Sequence, residues 1–272
     1  MARIAARTIG RWITIAAAAG FGGLAYVYLT LPDVRPLKTT NPTTTAFMEL
    51  RAREARAKGQ TPKHVQQWIS YRRISPNLTR AVLVAEDAAF WQHEGLDLEQ
   101  LEESLEANLA NLRFVRGGST ITQQLAKNLY LSPSKNPLRK FKELIIARRL
   151  EAELEKSRIL ELYLNVIEWG DGIYGVEAAS RTYFHGGAGS LGPAQAATLA
   201  GAIINPRVLN PGRPNGRLVR RQSIIMGRMK SVTPPPAVPA DELPTAKGPA
   251  PDAPETTAVD PLLPPAAPTE VQ

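Results

Sequence analysis

The sequence contains no cysteine, which excludes disulfide bonds, thiolate metal ligands and a cysteine nucleophile. Histidine is almost as scarce. His64, His93 and His185 are spread widely along the chain, so a histidine-rich metal site is not expected. The lack of cysteine is compatible with either redox compartment, and it does not locate the protein.

The charge of the chain is unevenly distributed. The 272 residues carry a formal net charge of +8, but residues 231–272 hold one lysine and six acidic residues, which leaves +13 on residues 1–230. The chain is 43% hydrophobic, enough for one sizeable core rather than two full domains. The strongly positive charge of residues 1–230 favours anionic partners: nucleic acid, anionic lipid headgroups or a phosphorylated substrate. Charge alone does not choose among them.

An uncharged run occupies residues 12–31, about the length that a bilayer-spanning helix needs. Three arginines precede the run, so the positive-inside rule places residues 1–11 in the cytoplasm and the body outside it. The alternative is a cleaved signal peptide. We favour an uncleaved transmembrane signal anchor, because apolar residues continue to Leu29, well beyond a short signal core.

The rest of the chain divides by composition into three segments. Residues 32–73 are predicted to be a linker, rich in Pro, Thr and Asn at its start, followed by a membrane-proximal segment. Residues 74–230 alternate long helical patterns with short breaks and have few alternating β-branched runs, which predicts a mainly α domain. Residues 231–272 hold twelve of the 23 prolines and are predicted to be disordered.

The first segment with chemical potential is residues 81–95. On a helix, Glu86 would lie on an apolar ladder with Val82 one turn before it and Phe90 one turn after it. Loss of hydration would raise the pKa of this carboxyl and suit it to act as a base near neutral pH. An exposed acid at the edge of an amphipathic helix is an equally good interpretation of the spacing. For His93, a structural hydrogen bond is favoured over catalysis.

The second segment, residues 116–131, starts with two glycines and continues as an amphipathic helix. Ser119 or Thr120 can cap this helix, and free amides at its N-terminus would form an anion site. An ordinary surface helix is the alternative, but such helices usually carry Glu and Lys rather than a cluster of Gln and Asn. The candidate ligand-binding residues here are Arg116, Ser119, Gln124, Lys127 and Asn128.

The third segment, residues 138–156, combines Arg139 and Lys140 with Glu143 beside an apolar face. The alternative interpretation is a surface ion pair worth ~0.2–0.5 kcal/mol. In residues 156–180, a stripe that includes Tyr163 has the spacing of a core-facing helix and is interpreted as scaffold.

Together these segments resemble the peptidoglycan glycosyltransferase family, whose members occur alone or fused to penicillin-binding transpeptidase domains. Residues 86–95 match its motif E-D-x-x-F-x-x-H-x-G, residues 117–128 match G-G-S-T-I-T-Q-Q-x-x-K-N, and residues 139–143 match R-K-x-K-E. Residues 156–165 match K-x-x-I-L-E-x-Y-L-N, and Arg220-Arg221 open a fifth motif. The short N-terminal helix and the lack of a transpeptidase-sized second body make the chain similar to the monofunctional biosynthetic transglycosylases.

The resemblance implies a lysozyme-like, all-helical glycosyltransferase domain that polymerises lipid II onto a growing lipid-linked glycan strand. Glu86 would be the general base, and Glu143 a second carboxylate that assists near the donor diphosphate or holds its basic neighbours in place. A divalent cation, Mg or Mn, would assist at the diphosphate without a separate metal site. Lys127, Arg139 and Lys140 would contact the diphosphate, and Ser119, Gln124 and Asn128 would contact sugar and phosphate oxygens.

The implied location is the bacterial inner membrane, with one spanning helix and the catalytic domain on the periplasmic side. The implied partners are the membrane and proteins of cell-wall synthesis or division, and not nucleic acid. Two other functions stay open on the residues. One is a lytic transglycosylase or glycoside hydrolase, which would have no need of the basic cluster. The other is a non-enzymatic basic membrane protein.

Overall fold

A computed structural model describes residues 2–97, 102, 118–131 and 137–230. Arg116, a predicted ligand-binding residue, and the tail 231–272 therefore lie outside the described residues. The described chain is mainly helical, as predicted. Its α-helices are α1 (Ala2–Leu29), α2 (Ala46–Ala57), α3 (Pro76–Glu86), α4 (Ile121–Tyr130), α5 (Pro137–Glu153), α6 (Lys156–Val166), α7 (Val176–Phe184), α8 (Pro193–Ala202) and α9 (Gly216–Met229). Short 3-10 helices lie at Arg35–Lys38, Tyr71–Arg73 and Ala188–Ser190.

A small sheet departs from the all-helical expectation. Its strands are β1 (Val65–Gln66), β2 (Glu168–Gly170) and β3 (Ile173–Tyr174); β3 lies in the middle, parallel to β1 and antiparallel to β2. The glycines around position 172 indicated a loop, but Gly172 adopts φ +73° and closes a hairpin. A Cβ there would stand 2.7 Å from the carbonyl oxygen of Lys63, so the backbone approaches too closely for any other residue.

The helices pack in two neighbouring sets. Helix α4 packs against α5 and α6, while α8 packs against α3 and α9. The core-facing stripe predicted for α6 is confirmed, because its apolar side chains are fully buried. Among the largest buried side chains are Trp169, Tyr163, Tyr174 and Phe90. This arrangement brings the C-terminal end of α3 to the side of α4.

Residues 32–48, predicted to begin a linker, pack against the domain. Val34 and Leu37 are buried, and the backbone of this proline-containing segment is held by a basic side chain from α6. Arg158 donates to the carbonyl oxygens of Leu37 at 2.8 Å and Thr40 at 3.1 Å. Backbone carbonyl groups of an irregular segment have no helix or sheet donors, so the guanidinium group of Arg158 supplies the hydrogen bonds that they need.

Helix α1 carries its apolar side chains on the outside: Trp12, Phe21 and Leu29 are 67%, 75% and 79% exposed. Its C-terminal end is attached to α5. Arg149 donates to the carbonyl oxygen of Tyr28 at 2.6 Å, and its guanidinium group lies 4.1 Å from the centroid of the Tyr28 ring. Within the described part of the chain, no helix combines the length and the apolar character that crossing a membrane requires.

Candidate active site

Glu86 is the last residue of α3, so the helix does not continue to Phe90 as the spacing predicted. The prediction that Phe90 stacks on Glu86 one turn later is therefore wrong, although Phe90 is fully buried. The helix stops because Asp87 leaves helical geometry, with φ −165° and ψ 81°. This conformation turns the Asp87 carboxylate towards partners outside α3.

Asp87 joins the end of α3 to the start of α4. One carboxylate oxygen accepts from the backbone amide of Ile121 at 2.9 Å, and Nε2 of His93 lies 3.0 Å from the other. The Gly95 amide donates to Nδ1 of His93 at 3.1 Å, which assigns the ring proton to Nε2. His93 thus has the structural hydrogen bond that its position predicted.

This network corrects the prediction of a free anion site at the N-terminus of α4. The anion that its first amide binds is Asp87 of the protein itself. Of the two predicted caps, Ser119 and Thr120, it is Thr120 that caps the helix, and its hydroxyl accepts from the amide of Gln123 at 3.2 Å. Two of the amides expected to receive a phosphate are therefore occupied by the protein's own oxygens.

A chain of hydrogen bonds orients Glu86. Gln124 on α4 donates its side-chain amide to Oε2 of Glu86 at 2.9 Å. The carbonyl end of the same side chain accepts from the hydroxyl of Tyr163 at 3.0 Å. Burial raises the pKa of Tyr163 well above its ordinary value, so this hydroxyl keeps its proton and fixes which end of Gln124 faces Glu86.

The electrostatics of Glu86 suit a base. Burial raises the pKa of its carboxyl, while the hydrogen bond from Gln124 and the positive charges of Arg221 and Lys127 offset part of that rise. Part of the residue's surface remains accessible, which leaves a substrate hydroxyl a path to it. Of the two interpretations that the spacing allowed, the structure agrees with the partly desolvated carboxylate.

Glu143 lies in a basic cluster at the start of α5. It is 4% exposed, and its two oxygens lie 2.6 Å from Nζ of Lys140 and 3.3 Å from Nη1 of Arg139. Lys140 also donates to the side-chain oxygen of Gln123 at 2.9 Å and lies 3.4 Å from the hydroxyl of Ser119. The predicted pairing of Arg139 with Glu143 is thus present, within a larger cluster than a surface ion pair.

Helix α4 connects the two carboxylates. Its consecutive residues Gln123 and Gln124 contact the Lys140–Glu143 cluster and Glu86 respectively. The predicted apolar stripe of this helix is confirmed, with Ile121 and Leu125 fully buried on the opposite side. Asn128, a predicted ligand-binding residue, donates its side-chain amide to the backbone oxygen of Gln124 at 2.8 Å.

Several residues of this site were not among the predicted site residues. Asp87 and Gln123 belong to the matched motifs, but only their neighbours Glu86 and Gln124 were predicted to be site residues. Tyr163 was interpreted as scaffold because its spacing fits the core, yet its hydroxyl contacts Gln124. Arg221 was noted only as part of a motif. No local signal distinguishes it from its neighbour Arg220, because only the packing of α9 against α3 and α8 brings its charge near Glu86.

One group within the described ranges has the composition of a metal site: Asp87, His93 and Asp97. It does not fit a metal ion, since both ring nitrogens of His93 are hydrogen bonded. The carboxylate of Asp87 is likewise engaged by His93 and the Ile121 amide. Metal binding by these side chains would have to break these bonds, including the one from Asp87 to the start of α4.

A helical domain with a partly buried, oriented carboxylate and a basic cluster on neighbouring helices is suited to acid–base chemistry on an anionic substrate. Comparison with known proteins specifies the family. The transglycosylase family model matches residues 54–230, well over half of the chain. The chain therefore belongs to the transglycosylase family.

Curated relatives agree with the family model. A biosynthetic peptidoglycan transglycosylase of Dechloromonas aromatica is 46% identical over 231 residues, covering 84% of this chain and the whole of the relative. One from Laribacter hongkongensis is 46% identical, covering 73% of this chain and 87% of the relative. One from Aromatoleum aromaticum is 53% identical, covering 61% and 73% respectively.

Proposed function

We propose that this enzyme polymerises lipid II into the β-1,4-linked glycan strands of peptidoglycan, with Glu86 as the general base. The 4-hydroxyl of the acceptor sugar attacks the anomeric carbon of the lipid-linked donor and loses its proton to Glu86. The bond from that carbon to the diphosphate breaks, and the lipid diphosphate leaves. Direct displacement of an α-linked diphosphate inverts the configuration and yields the β linkage. The observation that carries the proposal is the partly desolvated Glu86, oriented by Gln124 and near the positive charges of Lys127 and Arg221.

Gln124 receives a more specific role than sugar binding. Its carbonyl end faces Tyr163 and its amide end faces Glu86, so it orients the base. The amide also supports the charged form of Glu86, which must exist before it can take a proton. Ser119 and Asn128 remain in the proposal as sugar or phosphate contacts at the edges of α4.

Glu143 is assigned to holding the donor-site cations rather than to proton transfer. Both of its oxygens are engaged by basic groups, and the cluster of Arg139, Lys140 and Glu143 carries a net positive charge. Lys127 adds a further positive charge on α4. Such a cluster stabilises a diphosphate leaving group, whose charge grows as the bond breaks. In the proposed reaction these protein cations contact the diphosphate.

The membrane attachment belongs to the same proposal. The lipid-linked donor and acceptor reside in a bilayer, and α1 presents exposed apolar and aromatic side chains that suit contact with lipid. We place the domain at the periplasmic side of the inner membrane, with α1 as its single attachment. A lysozyme-like arrangement of the helices is proposed on the same family basis.

The decisive experiment supplies labelled lipid II to the wild type and to Glu86→Gln, with Glu94→Gln as a matched control. Glu94 is an acid whose side chain is 79% exposed. We expect Glu86→Gln to lower polymerisation by about 100-fold or more, the usual contribution of a general base, and Glu94→Gln to leave it unchanged.

A fold control accompanies this experiment. Because burial raises the pKa of Glu86, the ionised carboxylate destabilises the folded state, and wild-type stability decreases as the pH rises through that pKa. Glu86→Gln should therefore be at least as stable as the wild type at neutral pH. Retained polymerisation by Glu86→Gln would reject the assigned base, and cleavage of finished glycan without synthesis would favour a hydrolase.

A further inference from the structure

Gln123 stands next to Gln124 on α4, but its side chain has a different pair of partners. Its amide nitrogen donates to the carbonyl oxygen of Gly95 at 3.2 Å, and its side-chain oxygen accepts from Nζ of Lys140 at 2.9 Å. Gln123 is 3% exposed, whereas the side chain of Lys140 is 47% exposed. A substrate can therefore reach Lys140 directly, and Gln123 can affect that substrate only through its neighbours.

The orientation of the Gln123 amide is fixed at its Gly95 end. A backbone carbonyl oxygen only accepts hydrogen bonds, so the NH₂ end of the side chain must face Gly95 and the oxygen must face Lys140. Gly95 is itself held in place, because Thr120 donates its hydroxyl to the same carbonyl oxygen at 2.8 Å. A Cβ at Gly95, where φ is +85°, would also stand 3.0 Å from Cγ of Glu151. The oxygen that Gln123 presents to Lys140 therefore has a fixed position.

This fixed end is also joined to the residue that follows Glu86. The Gly95 amide donates to Nδ1 of His93 at 3.1 Å, and Nε2 of His93 donates to Asp87 at 3.0 Å. Lys140 is therefore tied, by way of α4, to the loop that begins where α3 ends. The donor-site cation and the base share one frame of hydrogen bonds.

The ammonium group of Lys140 has three donors, and its described surroundings supply three oxygens. Glu143 accepts at 2.6 Å and Gln123 at 2.9 Å, while the hydroxyl of Ser119 lies at 3.4 Å. The contact with Ser119 is the longest, and its partners Glu143 and Gln123 are both buried. An anion that arrives from solvent can therefore replace Ser119 while the two buried oxygens keep Nζ in place.

We propose that Gln123 is a positioning residue for the donor diphosphate, because it fixes Nζ of Lys140 where a diphosphate oxygen can accept from it. A lysine side chain is long and flexible, and one that is held in advance loses less conformational entropy when the ligand binds. The inference rests on the proposed function, since it requires that Lys140 contacts the diphosphate. It adds an indirect role for a buried amide that the substrate does not touch.

The test measures binding of farnesyl diphosphate to the full chain in detergent micelles by titration calorimetry, with farnesol as the probe that lacks the diphosphate. Gln123→Met removes both amide contacts and keeps the length of the side chain. We expect it to bind farnesyl diphosphate about tenfold more weakly than the wild type, the usual weight of one hydrogen bond to a charged group, with farnesol binding unchanged. Gln66→Met is the matched control. Gln66 on β1 donates to the carbonyl oxygen of Asn165 at 2.9 Å, and its loss should leave the affinity for the diphosphate unchanged.

A double-variant cycle separates positioning from a purely structural role. If Gln123 acts through Lys140, Gln123→Met should cause no further loss of affinity in a chain that already carries Lys140→Met. Equal losses in the two backgrounds would overturn the proposal, and so would wild-type affinity in Gln123→Met. If thermal unfolding shows that Gln123→Met is not folded, Gln123→Asn takes its place in the cycle with the same expectations, because it keeps a polar amide that is one methylene too short to bridge both partners.

The binding assay also distinguishes this inference from the proposed function. Binding needs no proton transfer, so an incorrect assignment of Glu86 as the base would leave the result unchanged. A wild-type chain that binds farnesyl diphosphate no better than farnesol would refute the donor site itself, and the role of Gln123 with it. A wild-type chain that prefers the diphosphate, together with a Gln123→Met variant of equal affinity, would refute only the role of Gln123.

Discussion

Removal of the Tyr163 hydroxyl tests how the site controls Glu86. In Tyr163→Phe, the carbonyl end of Gln124 loses the donor that lies 3.0 Å away, while the ring can keep its buried position. Leaving a buried acceptor without a partner costs about 1–3 kcal/mol, which is an upper range for this partly buried oxygen. For a domain of this size, that cost lowers the midpoint of thermal unfolding by roughly 2–12 °C.

The same change should alter the pH dependence of the reaction. Without Tyr163, Gln124 is free to rotate, and its hydrogen bond to Oε2 of Glu86 weakens. That bond favours the charged form of Glu86 and lowers its pKa, so its loss lets burial raise the pKa further. A base acts only when deprotonated. The acidic limb of the kcat/KM profile should therefore move to higher pH in Tyr163→Phe.

Tyr183→Phe is the matched control. Its hydroxyl donates to the backbone oxygen of Trp169 at 3.3 Å and has no contact with Gln124. We expect a loss of stability in this variant without a shift of the acidic limb. If Tyr163→Phe loses stability but keeps the wild-type pH profile, Gln124 does not set the protonation of Glu86, and the reasoning fails.

Two further predictions concern the packed segment before α2. Arg158→Met removes the buried partner of Glu161 and the donor to the Leu37 carbonyl, and it should lower the free energy of unfolding in urea by about 3–5 kcal/mol. Adding Glu161→Gln to this variant should recover part of the loss. A further, additive loss in the double variant would show that the two residues are not coupled. Arg149→Ala removes the contacts that hold the C-terminal end of α1. If the free energy of local opening falls by about 1.4 kcal/mol, limited proteolysis between residues 28 and 41 should be about tenfold faster. An unchanged rate would show that α1 is held by other contacts.

The general architecture could be predicted from sequence because it follows from local patterns. The core stripe of α6 and the apolar side of α4 recur at helical spacing, and both are buried as expected. The end of α3 could not be predicted in this way. The apolar ladder around Glu86 is compatible with a longer helix, and the helix stops because Asp87 bonds to an amide 34 residues later.

The sequence by itself determined the helical class and the family resemblance, and it nominated Glu86 and Glu143 as candidate site residues, because these inferences depend on residue types at fixed spacing. Only the tertiary structure decided what surrounds these two carboxylates. The pKa of Glu86 depends on burial and on Gln124, Arg221 and Lys127, which come from other helices. Gln124 in turn depends on Tyr163, a residue whose spacing revealed only that it is buried. Electrostatic and hydrogen-bonding effects act across space, and their partners are set by packing rather than by position in the chain.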